Sequence, residues 1–144
     1  MYLREILGRE DGAPPPVDLA LERRTGDFLR TRIAAREVVV VHDLSDGGLI
    51  AAVAEMAMAS RVGVALKLPS GPPIHAQLFG EDQARYLIAT DQPDTLIASA
   101  RAANLPAQVI GQAGGEQISV AGVFSLSLDD LRQKHEGWMP AYMG

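Results

Sequence analysis

Three stretches of this chain predict an α/β domain. Val38–Val41 is a run of valines that reads as a strand. Leu49–Ala59 is apolar nearly all round, the signature of a buried helix. Val62, Val64, Leu66 and Leu68 alternate with Gly63, Ala65 and Lys67, a half-buried strand pattern. Helix and strand patterns keep alternating downstream, which suggests one sheet with helices packed on it.

Taken in order, Tyr2, Leu3, Ile6 and Leu7 have helical spacing without an N-cap before them, so the start reads as cut and Met1 as supplied to a fragment. Ala13–Pro16 (APPP) reads as a stiff linker. Residues 1–16 are thus a connecting segment, and 17–144 the domain. Asp18 caps a helix running to about Ala35, with Leu21, Phe28, Leu29 and Ile33 on its apolar side and Gly26 weakening it. The valine strand, β-branched on both faces, is expected to be covered on both sides. Arg61 ends the apolar helix, Pro69–Pro73 is a loop, and Ile74–Phe79 is a single helical turn. Ala84–Thr90 reads as a strand. Asp94 caps a helix that Asn104 and Pro106 stop. Gln108–Gln112 and Gln117–Ala121 flank Gly114–Gly115, a hairpin signal. Ser127 with Asp130 resembles a capping box for a last helix ended by Gly137. A parallel β–α–β crossover around the Gly-rich turn would be right-handed.

Composition narrows the function classes. The 144 residues suit one domain, and 47% are apolar, which argues against disorder. The net charge of −5 without a basic run argues against nucleic acid as a partner. The chain has no cysteine, which rules out disulfides, thiolate metal sites and thiol catalysis within it, and cytoplasm is the natural compartment. No stretch reaches the ~20 apolar residues that span a bilayer, so no membrane is expected.

The chemistry-bearing stretch is His42–Gly48 (HDLSDGG), which enters the apolar helix. Gly47 and Gly48 let an anion approach the backbone, and the first helical amides and the macrodipole favour phosphate there. Ser45 adds a hydroxyl. Asp43 and Asp46 repel phosphate unless Mg²⁺ bridges, but both also suit a capped strand–helix turn that binds nothing. His42 either contacts a phosphate or moves a proton, or satisfies a backbone carbonyl. In the second motif, LFGEDQAR, Glu81 and Arg85 hold a ligand or form a surface ion pair. The tail, EGWMPAYMG, is rich in apolar surface; it folds back on its own core or docks on a neighbour. No G-x-S-x-G elbow or Walker lysine is present.

VHDLSDGGL with its Ala-rich helix, LFGEDQARYLI and the terminal W-x-P-x-Y string together resemble the C-terminal domain of the phosphoribosylformylglycinamidine synthase subunit II family, within the aminoimidazole ribonucleotide synthetase superfamily. The resemblance runs from about Tyr2 to the end. It implies a three-layer α/β/α domain with a mixed sheet and partial ferredoxin-like topology. It also implies an ATP- and Mg²⁺-dependent ligase that turns formylglycinamide ribonucleotide into formylglycinamidine ribonucleotide, with nitrogen from a glutamine amidotransferase partner. The residues matching the family motifs are His42, Asp43, Ser45, Asp46, Gly47, Gly48, Glu81 and Arg85, expected to face the cleft between domain types. No catalytic residue carries over, and the metal ligands stay unassigned. The fragment is expected to be inactive alone, with the remaining domains of the synthetase, a small phosphorylated substrate or a second copy of itself as partners. The rival expectations are a phosphate- or nucleotide-binding module without chemistry, and a purely structural domain.

Overall fold

A computed structural model describes residues 2–10 and 16–144. The linker predicted at Ala13–Pro16 lies, up to residue 15, outside the described residues. The elements run α1 (Tyr2–Leu7), α2 (Leu19–Ala34), β1 (Val40–Asp43), α3 (Gly48–Ser60), β2 (Val64–Leu66), α4 (Ile74–Phe79), β3 (Tyr86–Ala89), α5 (Pro93–Ala102), β4 (Gly111–Ala113), β5 (Gln117–Val120), β6 (Phe124–Ser127) and α6 (Leu128–Met143). The predicted mixed α/β class holds, and the larger sheet is mixed. The single sheet does not hold: the strands divide between a two-stranded sheet, β1–β3, and a four-stranded one, β4–β2–β5–β6. The chain correspondingly splits into two compact units, residues 1–52 with 72–109 and residues 53–71 with 110–144.

In the first unit Asp18 caps α2 as its spacing predicts, accepting a 2.9 Å bond from the Leu21 amide. Of its expected apolar side only Leu29 is buried; Ile33 stays exposed, and the Arg32 guanidinium lies 5.1 Å over the Phe28 ring. β1 pairs antiparallel with β3, Val40 opposite Ala89 and Asp43 opposite Tyr86, so no parallel crossover surrounds the Gly-rich turn. Nor is the valine strand covered on both sides: Val38, 1% exposed, and Val39, 80% exposed, both precede β1, and within it Val40 is 43% exposed. Two paired strands leave each with an open edge, which a run of β-branched residues cannot announce. α5 begins at Pro93 with Gln92 as its cap, so Asp94 sits inside the first turn and does not cap it. Asn104 does stop it, with φ of 55°, and the Leu105 amide turns back to the Ala100 carbonyl. The core here comprises Leu29, Val38, Leu44, Leu49, Ala52, Leu78, Ala100 and Leu105.

The second unit centres on β2. β4 lies antiparallel on one side of it and β5 parallel on the other, so the predicted β4–β5 hairpin is opened to admit a third strand. Gly63 makes this possible. Its amide bonds the Gly115 carbonyl at 2.9 Å, and its own carbonyl takes the Gly114 amide at 2.8 Å. The Gly114–Gly115 turn therefore fastens to the entry of β2. β6, which the sequence reading lacks, pairs with β5 through a turn at Gly122; the alternation of Phe124 and Leu126 with Ser125 and Ser127 was its signal. Val53, Ala57, Leu66, Ile118, Val120 and Leu128 form the core. Ser127 caps α6 by accepting from the Asp130 amide. The helix does not end at Gly137 but continues through Pro140 to Met143. Its outer half is solvent-exposed, so the carbonyl that loses a donor at Pro140 is open to water. No helix among the described residues is long and apolar enough to cross a membrane.

Candidate functional site

All eight residues singled out by the sequence fall in the first unit, on two segments that are locked together. β1 delivers His42 and Asp43, the turn holds Ser45 and Asp46, and Gly47 and Gly48 lead into α3. The second segment leaves α4 at Gly80 and enters β3 after Arg85. Beyond the β1–β3 ladder, the Leu44 amide donates to the Arg85 carbonyl at 3.0 Å.

The key contact crosses between the segments. The Gly47 amide donates to Glu81 Oε1 at 3.1 Å. An oxyanion does rest on the helix entrance, and it belongs to the chain itself. The Gly48 amide is engaged as well, 3.0 Å from the Ser45 carbonyl. Gly48 is buried at φ of 67°, and a Cβ built on it would lie 2.7 Å from the Phe79 carbonyl carbon and 2.8 Å from the Gly80 oxygen. Its missing side chain thus admits the protein's own backbone.

The other candidates are placed as follows. His42 is half-buried with Nδ1 2.6 Å from the Asp43 carbonyl, the backbone-satisfying alternative. Asp43 is exposed, its Oδ1 3.9 Å from the same nitrogen. Ser45 and Asp46 are exposed at the turn. Arg85 donates from Nη1 to the Gly80 carbonyl at 3.2 Å and to Asp82 at 3.3 Å. Asp82 was missed by the sequence reading, although its three-residue spacing from Arg85 was visible. The surface therefore carries Asp43, Asp46, Glu81 and Asp82 against one arginine already engaged. Among the described residues no group of three or more acidic or histidine side chains is placed to hold a metal.

Two changes probe this geometry. Glu81→Ala removes the carboxylate from the Gly47 amide and is expected to cost about 1 kcal/mol, as loss of a helix cap does; Glu81→Gln keeps an acceptor oxygen and should recover most of it. Urea unfolding midpoints of the two variants check the pair. Ala84, which bends the chain between Glu81 and Arg85, sits at φ of 60°. Ala84→Gly relieves roughly 1–2 kcal/mol of left-handed strain and returns about 0.4–1 kcal/mol through a looser unfolded chain. A net gain of about 0.5 kcal/mol is expected, read as a rise in the same midpoint.

Comparison with known proteins follows the same outline. The family described as AIR synthase related protein, C-terminal domain, matches residues 1–123. The phosphoribosylformylglycinamidine synthase subunit PurL of Caulobacter vibrioides is 60% identical over 143 residues, 99% of this chain and 19% of that protein. The Rhodospirillum rubrum PurL is 52% identical over 145 residues, covering 99% and 20%. The chain thus spans about a fifth of the length of these curated relatives. Among solved structures, Thermotoga maritima PurL complexed with FGAR superposes on 90% of this chain and 24% of its own with a TM-score of 0.71 at 18% identity. The same protein complexed with ATP gives 0.64 over 76% of this chain and 21% of its own, at 17% identity; at such identities the likeness speaks for the fold. The mixed α/β architecture, the DLSDGG turn locked to the LFGEDQAR segment and the match over residues 1–123 agree, and the chain belongs to the family of AIR synthase related protein C-terminal domains.

Proposed function

We propose that this chain serves as the C-terminal domain of a cytoplasmic phosphoribosylformylglycinamidine synthase of the PurL type. The whole enzyme would activate the amide oxygen of formylglycinamide ribonucleotide with the terminal phosphoryl group of ATP. Ammonia, supplied from glutamine by an amidotransferase partner, then displaces that oxygen as phosphate, giving the amidine and ADP. Such chemistry rests on positioning and on neutralising phosphate charge. Mg²⁺, which the full enzyme would use, would supply that neutralisation. The chain contributes no nucleophile and no general base, and alone it is inactive.

Its proposed share is binding. His42, Asp43, Ser45, Asp46, Gly47, Gly48, Glu81 and Arg85 form the phosphate- or substrate-facing surface of the domain. The observation that carries this is the Gly47 amide holding a carboxylate oxygen at 3.1 Å. An amide that donates to one oxyanion can donate to another, so a phosphate would exchange with Glu81 while Ser45 donates its hydroxyl. Gly48 takes part through packing, since its own amide is engaged. The same engagement favours a second reading, in which the turn is purely structural and binds nothing.

Titration of the ¹⁵N-labelled chain with ADP and Mg²⁺ separates the two. Amide shifts centred on Ser45 and Gly47, larger in Glu81→Ala, support the binding role. Silence at these amides in both proteins leaves only the structural one. The enzymatic part is checked by formylglycinamide-ribonucleotide-dependent ADP release, expected from a PurL-length polypeptide containing these residues and absent from the 144-residue chain.

A further inference from the structure

α6 carries an apolar seam that its own unit covers only at the start. Leu128, Leu131, His135, Trp138 and Tyr142 follow one another at intervals of three and four, so they line one side of the helix. Leu128 is 4% exposed, Trp138 60% and Tyr142 77%. Met139 and Met143 widen the exposed end. The Trp138 and Tyr142 rings stack with centroids 5.4 Å apart and planes 9° from parallel, a flat aromatic face presented to solvent. From Gly137 onward no side chain is charged. That suits a dry, apolar acceptor; aromatic residues and methionine are enriched at the buried centres of such interfaces.

The family match ends at residue 123, before α6 begins. The Caulobacter PurL match, in contrast, takes in 99% of the chain. α6 is therefore shared with PurL-length relatives while lying outside the span that matches the wider family. Those relatives are about five times as long as this chain.

We propose that the Trp138–Tyr142 end of α6 is a docking helix whose acceptor is an apolar groove on the part of a PurL-length polypeptide outside these 144 residues. The inference rests on the PurL-type reading above. Burial of the aromatic pair ties the end of the second unit to the body of the synthetase. Trp138, the chain's single tryptophan, would be the central anchor.

Hydrogen exchange of residues 133–143 tests it, measured in the 144-residue chain and in a chimera carrying these residues in place of the matching fifth of the Caulobacter relative. Exchange in the chimera should slow by roughly tenfold or more. Trp138→Ser with Tyr142→Ser should return it to the fast rate while residues 117–127 keep theirs. Equal rates in the two proteins overturn the proposal, as does a chimera that does not fold. Protection in the 144-residue chain that grows with its concentration also overturns it, since the occupant is then a second copy. Substrate-dependent ADP release by the chimera reports on the functional reading independently. Turnover with an unprotected α6 sinks the docking proposal alone, and protection without turnover sinks the functional reading alone.

Discussion

Gly48→Ala is expected to lower the unfolding free energy of the first unit by about 3 kcal/mol. Two costs combine. Gly48 has φ of 67°, where a Cβ costs roughly 1–2 kcal/mol. The new methyl also meets backbone on three counts, 2.7 Å from the Phe79 carbonyl carbon, 2.8 Å from the Gly80 oxygen and 2.9 Å from the Phe79 Cα. Overpacking of this kind costs about 1–3 kcal/mol, and no flexible side chain is available to yield. Gly47 provides the contrast. It too has positive φ, and an added Cβ would lie 2.7 Å from the Ala51 Cβ, a clash with one helical side-chain carbon and not with backbone. Native-state exchange of the Leu44 amide, bonded across to Arg85, would report the loss directly. A loss below about 1 kcal/mol would show that α4 and the loop separate easily, and would return Gly48 to the ligand-approach role its sequence context suggested.

That contrast marks what the sequence can and cannot disclose. DLSDGG is correctly read as a strand-to-helix turn, because the valine run, the glycine pair and the apolar helix are local signals. Asp18, Ser127 and Asn104 terminate helices as their residue types foretell, for the same reason. What occupies the turn is not local. Glu81 is thirty-four residues away from Gly47, and only the β1–β3 pairing brings them together. A glycine that makes room for a phosphate and one that makes room for Phe79 and Gly80 look identical in sequence. Strand pairing fails for a related reason. Gly114–Gly115 between two apolar runs is a fair hairpin signal, yet β4 and β5 face opposite edges of β2, a choice set by partners forty or more residues upstream. α6 outruns Gly137 and Pro140 because local breakers raise the cost of a helix without forbidding it.

Gly63→Ala is expected to be as damaging to the second unit, by about 3 kcal/mol, for a purely steric reason. Gly63 does not require positive φ, so the backbone itself would tolerate alanine. The obstacle is its position at the mouth of β2. A Cβ would stand 2.4 Å from the Gln117 carbonyl oxygen, 2.6 Å from the Gln117 nitrogen and 3.0 Å from the Gly114 oxygen. These atoms belong to the start of β5 and to the turn before it, so relief requires spreading the bonds from Gly63 to Gly115 and Gly114. Each bond lost there contributes about 0.5–1.5 kcal/mol, and the strain of partial relief adds to it. Gly26→Ala serves as the control. Gly26 lies within α2 with nothing within 4 Å of the new methyl, so the change should stabilise by about 1 kcal/mol through helix propensity. The pair therefore differs in sign for one chemical change. Proteins carrying each substitution, compared by amide exchange at Ile118 and Leu29, would locate the losses and gains unit by unit. If Gly63→Ala leaves the Ile118 amide as protected as before, β5 does not depend on the close approach of Gly63, and the ordering of β4, β2 and β5 must be held by the core beneath Leu66 and Val120 instead.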